Sequence, residues 1–350
     1  MKRAILISIL LVLFAQPALA QDIDATFHRA TITNAVEDST DTELITIQAE
    51  LADEKRGIEL TIPRPALTSE DVAELQPGKQ IIVIRSGLDG VERFTLHDIY
   101  RLDAIFWLFI GFVIITITII GRQGIFSLVG LGITLIILVG LVAPLILKGY
   151  NPLLVSFLGA LVIAGISILV AHGIKKRTLL ALLSTVLTLG VSLILALGAV
   201  SFANLLGLGS EEAAFLKIQI NPLIDVRGIL LGAIIIGALG VLDDVTTAQT
   251  ATVEEIHKAN TKLGFHSLIS RGMSVGREHI ISLVNTLVLA YVGAAFPIFL
   301  LLTTASPEPL WVTLNAEFVS EELVRMLVGS LSLVLAVPIS TIIAAWQYTK

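Results

Sequence analysis

Between residues 104 and 347 the chain carries a succession of apolar stretches, at about 104–120, 124–147, 152–171, 178–204, 228–249, 280–303 and 326–347. Each approaches the roughly 20 residues a helix needs to cross the hydrocarbon core of a bilayer, so about seven spans are expected. No water-soluble core could hide so many. Composition agrees: 55% of residues are hydrophobic, 15% are charged and mean hydropathy is +0.89, well outside soluble averages. Aromatics make up 6%, and the apolar residues are chiefly Leu, Ile, Val, Ala and Gly, the mixture of helices packed against one another. Pro144 and the glycines in the long second and fourth stretches point to tilt, a kink or a broken helix.

The first hundred residues read differently. Lys2 and Arg3 precede an apolar run from Ala4 to Ala15, and Ala18-Leu19-Ala20 stands before Gln21. This is the three-part pattern of a secretory signal, with cleavage expected after Ala20; an uncleaved anchor is the alternative. Residues 21–100 are polar with strand-like alternation, as in Glu43-Leu44-Ile45-Thr46-Ile47-Gln48 and Gln80-Ile81-Ile82-Val83-Ile84-Arg85. Breaks at Asp38-Ser39-Thr40-Asp41, Pro63-Arg64-Pro65, Gln76-Pro77-Gly78 and Leu88-Asp89-Gly90 divide this region into about five short strands, a small barrel or sandwich. The expected fold is an α-helical transmembrane bundle (101–350) behind a signal peptide (1–20) and a small all-β extracytoplasmic domain (21–100). His28 and His97 are isolated and read as surface histidines. There is no cysteine, which excludes disulfides and thiolate chemistry, and a net charge of -6 leaves no basic surface for nucleic acid.

Loop charge sets an orientation. With the N-terminal domain outside, the inner segments hold Arg122, Lys175, Lys176, Arg177, Lys258, Lys262, Arg271, Arg277 and Lys350, against Lys148, Lys217, Arg227 and Arg325 outside. The positive-inside rule therefore agrees with the leader and puts the C-terminus in the cytoplasm.

The chemically informative stretch runs from Arg227 to Glu255. Gly228 to Leu242 is too short to span alone, so the helix continues past Asp243 and Asp244, where a charge costs roughly 2.5–3.5 kcal/mol at mid-bilayer and less near the interface. On a 3.6-residue period Ala233, Gly237, Gly240 and Asp244 share one side, while Asp243, Thr247, Thr250 and Glu254 form a neighbouring polar stripe. Small residues favour close helix approach, so Asp244 is expected to face the protein interior. Two readings stay open: carboxylates that bind and release a proton or cation, or an interfacial pair solvated by water and hydroxyls. Asn285 and Thr286, a few residues into the sixth stretch, are candidates to hydrogen-bond the Asp244 helix, or plain interhelical contacts.

The sequence resembles the YibE/F-like membrane proteins. The resemblance rests on Tyr100-Arg101, Lys148-Gly149-Tyr150-Asn151-Pro152, Gly237-Ala238-Leu239-Gly240 with Asp244 and Glu255-Ile256 beyond, and Val275-Gly276-Arg277-Glu278 leading to Asn285-Thr286-Leu287, in order across about 100–303. Glu278 stands where the family pattern suggests Asp, and the Thr-rich stretch after Asp244 is more polar than usual. The resemblance implies a bacterial cytoplasmic-membrane protein with an extracytoplasmic β-rich domain, in a family without an assigned function. A fainter likeness, to the proton-driven half-bundles of SecD and SecF, rests on the order of Asp244, Glu255, Asn285 and Thr286 and implies proton coupling through Asp244.

Asn151-Pro152 and Asn221-Pro222 read as caps that each open a span, Asp225 and Arg227 as a pair at an outer helix end, and residues 256–278 as an amphipathic inner helix or a solvated loop. A transport-related protein coupled through Asp244, Asp243, Asn285, Thr286 and Thr247 is the leading expectation. A non-catalytic scaffold that holds a partner through its β-domain is the alternative. No HExxH zinc motif, positioned serine or phosphate loop is present, so neither enzyme activity, cofactor nor metal is expected. The partners expected are the lipid bilayer and a related membrane protein in a homo- or hetero-oligomer.

Overall fold

The computed structural model describes residues 25–34, 44–63, 75–88, 91–303 and 309–350. The expected leader and the breaks at residues 38–41, 64–65 and 89–90 lie outside them. The chain divides into two compact units, the second comprising residues 14–119 and the first comprising the helices from residue 120 onward.

The β-rich unit is one antiparallel sheet of β1 (Ala25–Ile32), β2 (Leu44–Leu51), β3 (Gly57–Pro63), β4 (Gln80–Leu88) and β5 (Val91–Ile99), in the order β3-β2-β1-β4-β5. It is a single curled sheet rather than a sandwich of two. A bulge between Ile82 and Val83 shifts the β4–β5 register, the kind of irregularity that adds curvature, and β3 and β5, the ends of the order, approach each other. Alternation decides the faces: Ile32, Ile47, Leu51, Leu60, Ile81 and Val83 point into the concave side and are fully or almost fully buried. Across the open seam Arg56 pairs with Glu92, which Arg85 on the neighbouring strand β4 also holds, and Arg85 reaches Glu54 at 2.9 Å. These guanidiniums, Arg85 first, hold the Glu92 carboxyl below the usual carboxylate range. His28 Nδ1 stands 3.6 Å from Asp53, and His97 packs edge-on against the exposed Phe27. β5 runs into α1 (Leu102–Ile120) with two residues between, and none of α1's side chains is buried.

The helical unit contains α2 (Arg122–Leu147), α3 (Pro152–His172), α4 (Lys176–Phe202), α5 (Glu211–Phe215), α6 (Val226–Ala259), α7 (Phe265–Ala294), α8 (Phe296–Leu301), α9 (Leu310–Asn315) and α10 (Glu317–Tyr348). Asn151 caps α3 ahead of Pro152, accepting from the Leu154 N–H at 3.0 Å. The irregularity expected in the second span is a π-turn at Leu138–Val142, directly before Pro144. Asn221 and Pro222 do not open a span: Asn221 closes a turn, and Asp225 caps α6 by accepting from the Gly228 N–H at 3.0 Å. That role replaces the expected pairing of Asp225 with Arg227. The inner segment 256–278 is neither a loop nor a separate helix; it is the end of α6, a turn at 260–264 and the start of α7.

Among the described residues six helices are long and apolar enough to cross a membrane, against about seven stretches expected: α1, α2, α3, α4, α6 and α10. The stretch at 280–303 is divided. Arg277, Glu278, His279 and Asn285 dilute α7, and the chain breaks at Ala295 (φ −103°, ψ 22°) before Pro297. Even so, α7 runs along much of the depth of the bundle. The Gln249 amide donates to the Gly272 carbonyl at 2.9 Å near one end, and Tyr291 reaches Gly237 and Gly329 near the other.

Helix α6 is the hub, packed against α3, α4, α7 and α10. Its bulky residues Leu231, Ile234, Ile235 and Leu242 face inward, while small residues set the close approaches. A Cβ on Gly232 would lie 2.3 Å from the Ser156 hydroxyl, and one on Gly276 would lie 2.4 Å from Val337. Buried hydroxyls reinforce these contacts. Thr185 and Thr246 meet at 2.6 Å, and Gln249 also donates to Thr341 at 2.7 Å. Such interhelical bonds average about 0.6 kcal/mol in lipid.

Candidate functional site

The two ends of the bundle differ in charge. At one end Lys176 donates to the Gln347 carbonyl, Arg177 lies 3.8 Å and Lys258 3.2 Å from Glu254, and His257 stacks on Tyr348. At the other, Glu317 on the first turn of α10 accepts from three successive backbone N–H groups, Leu206, Gly207 and Leu208, at 2.6, 2.8 and 3.3 Å. Glu321 accepts from Gly209 at 2.9 Å. Gly207 has φ +86°, and a Cβ there would lie 2.4 Å from the Val226 carbonyl oxygen, so the loop needs glycine for both its conformation and its fit.

The aspartates lie towards the basic end. Asp243 is 18 residues past the α6 N-cap, roughly 27 Å along the axis at 1.5 Å per residue, which is close to the full ~30 Å thickness of a hydrocarbon core. Both aspartates line a cleft of about 260 Å³ with Gln123 and Ser127 of α2, Ser167 and His172 of α3, and Thr247 of α6. The Thr247 hydroxyl is buried without a hydrogen-bond partner. Neither aspartate forms an ion pair among the described residues. Nor do Asp243, Asp244 and His172 converge into a metal-holding group; no such group occurs among the described residues.

The face assigned to Asp244 is corrected. Ala233, Gly240 and Asp244 are exposed and Gly237 is half-buried, whereas Asp243 is half-buried and Thr250 and Gln249 are fully buried. The side of α6 that carries Ala233, Gly240 and Asp244 is its open side, because the hub helix buries Leu231, Ile234, Ile235 and Leu242, together with Gly228 and Gly232, against its four neighbours. Asp243, rather than Asp244, is therefore the more enclosed carboxylate. Thr247 joins both aspartates in the cleft, but Asn285 and Thr286 do not. They are exposed on α7 and absent from the cleft wall, and Thr286 donates to its own helix at the Ser282 carbonyl, 3.0 Å away.

Sequence reasoning missed His172, Ser167, Ser127 and Gln123. One signal was available: His172 ends the third span on the same basic side as the aspartates, and the turn at Gly173 sends the chain straight back into α4. The serines and Gln123 gave none, since which faces of α2 and α3 meet α6 is settled by packing.

Six helices of crossing length, a hub helix with hydroxyl-rich contacts and a carboxylate cleft describe a multi-pass integral membrane protein. Within that class the chain belongs to the YibE/F-like protein family, whose model matches residues 108–350 and so covers the whole helical unit. No curated protein and no solved structure matches it. The likeness to SecD and SecF is not shown by these comparisons.

Proposed function

We propose that this protein is a transport-related protein of a bacterial cytoplasmic membrane, in which the Asp243–Asp244 cleft binds and releases a proton or a small cation. The observation that carries the reading is the pair itself: adjacent carboxylates with no ion-pair partner among the described residues, ringed by Ser127, Ser167, Thr247 and His172 at the edge of a helix bundle. Two neighbouring carboxylates with hydroxyl company and no fixed countercharge are most readily neutralised by a mobile one, since like charges at close range disfavour joint ionisation. Asp243 is the coupling group and Asp244, at the open side, its route to water. The basic end faces the cytoplasm by the positive-inside rule, which places the β-rich unit outside and the C-terminus inside.

Carbodiimide labelling of the protein in lipid between pH 5 and 9, with the modified carboxyls mapped by mass spectrometry, tests this without a known substrate. Protonated, enclosed carboxyls react. Asp243 is expected to label at neutral pH and to lose reactivity towards pH 9, and Asp243→Asn should remove the adduct without moving it to Asp244. Labelling confined to Glu254, Glu255 or the β-rich unit would end the coupling reading.

A further inference from the structure

Helix α7 has a face that the cleft does not use. Its buried side, with Leu268, Gly272, Gly276 and Leu287, packs on α6 and α10. On another side, Arg271, Ser274, Glu278, Ser282, Asn285 and Leu289 follow one another at intervals of three and four residues and are all exposed. That spacing makes a single stripe along one side of a helix.

Depth makes the stripe unusual. Asn285 lies between Gly276, which packs on Val337 and Gln249, and Tyr291, which packs on Gly237 and Gly329. Both Gly237 and Val337 are interior positions of helices long and apolar enough to cross a membrane. The outward side of a helix packed at that depth meets hydrocarbon, where an unpaired side-chain amide is costly, and membrane helices bring Ser, Asn and Thr to contacts with other helices instead. Exposed Ile and Leu cover the outward faces of α2 and α3, as lipid requires; α7 breaks that pattern, with the stripe as its continuous line and Arg277, His279 and Thr286 exposed beside it.

We infer that the Ser282–Asn285–Leu289 face of α7 is the contact between two copies of this chain. The occupant follows from the chemistry. In a two-fold pair with its axis along the membrane normal, a helix meets its own copy in parallel and in register, so every stripe residue faces itself. A side-chain amide carries both donor and acceptor and can pair reciprocally with a second amide, N–H to carbonyl in each direction. The two serines, Ser274 and Ser282, are small enough to let the helices close and can bond reciprocally. Leu289 supplies the apolar end of the seam. Glu278 also meets its copy, at the end nearer the basic loops, with Arg277 beside it and Arg271 two turns earlier as countercharge. The pairing is independent of the Asp243 reading, since no stripe residue lines the cleft.

The absence of native cysteine makes the test free of background. Single-cysteine variants Ser282→Cys, Asn285→Cys and Leu289→Cys, with Ala290→Cys as an exposed control off the stripe, are oxidised in native membranes and resolved on non-reducing gels. Disulfide-linked dimer at least fivefold above the control at all three stripe positions is expected. In the Leu289→Cys background, Asn285→Leu should lower the dimer several-fold, although leucine is the better residue for lipid. Equal crosslinking at stripe and control positions overturns the inference. So does a crosslink to a different polypeptide, or within one chain, in place of the dimer, and so does a Leu289→Cys dimer indifferent to Asn285→Leu.

Discussion

The β-rich unit and the helical unit solve the same problem with opposite distributions of polarity. In the sheet, the described core is hydrocarbon throughout, from Ala30 and Ile32 to Ile81 and Val83, and its charges lie at the seam. In the helical unit the fully buried residues include Ser184, Thr185, Thr188 and Ser192 on α4, Thr246, Gln249 and Thr250 on α6, and Ser332, Ser340 and Thr341 on α10, while exposed Leu, Ile, Val and Phe cover the outside. Burying apolar surface drives folding where the solvent is water; between helices in lipid it does not, and close packing with hydrogen bonds takes its place. Loss of a core methylene should therefore matter greatly in one unit, and loss of a buried hydroxyl should matter little in the other.

The largest expected effect tests the first half. Leu60 is fully buried in the sheet, and Leu60→Ala should destabilise the β-rich unit by about 2–5 kcal/mol. Hydrogen exchange on the full-length protein in lipid would read this as faster exchange in β2 and β3 with the helices unchanged. If α6 and α10 loosen to the same degree, the two units do not behave as separate cores and the contrast fails.

A middle-sized effect is expected where the helical unit departs from its own rule. The Glu317 carboxylate serves three backbone N–H groups at once, so Glu317→Ala leaves the Gly207 loop with unmet donors. Hydrogen bonds to a charged group contribute about 1.5–3 kcal/mol, and water at the bundle end would recover part of that. Exchange of the amides at 206–208 should rise at least tenfold while the Asp243 end stays protected. Glu317→Gln retains an acceptor and should fall between the two.

These contrasts also explain what could be read from sequence. The first four spans were legible within a few residues, and so was the start of the fifth, because a long apolar run bounded by Asn-Pro, glycine or lysine leaves a helix little choice of ends; the fifth helix runs ten residues past its apolar stretch, to Ala259. The stretch at 280–303 misled because its hydropathy continues through Ala295, where the backbone breaks, and because α7 begins far earlier, at Phe265, in polar sequence. The aspartate pair was legible as a charge that lipid must accommodate. Which aspartate is enclosed was not: adjacent residues differ by 100° around a helix, and only the bulk of Ile234, Ile235 and Leu242 packed against four neighbours decides that the Asp244 side stays open. The cleft's other walls come from α2 and α3, whose Ser127 and Ser167 are indistinguishable in sequence from the many serines that bond only to their own helix.

The smallest effect is the sharpest test of the second half of the contrast. Thr185 and Thr246 meet at 2.6 Å, fully buried between α4 and α6, and Thr185 also donates to its own helix at the Ala181 carbonyl, 3.0 Å away. Thr185→Val keeps the shape and removes the hydroxyl. In a water-soluble core, a Thr246 hydroxyl stranded in this way would cost about 1–3 kcal/mol. Here Thr246 keeps a contact to the Asp243 carbonyl at 3.3 Å, and the separated helices in lipid would find other partners, so a loss near 0.6 kcal/mol is expected from reversible unfolding in mixed micelles. A loss above about 2 kcal/mol would show that the α4–α6 hydroxyls hold the hub together as strongly as hydrocarbon holds the sheet. A loss within error would leave shape alone, through Gly232, Ser156 and their neighbours, as what fixes α6 in place.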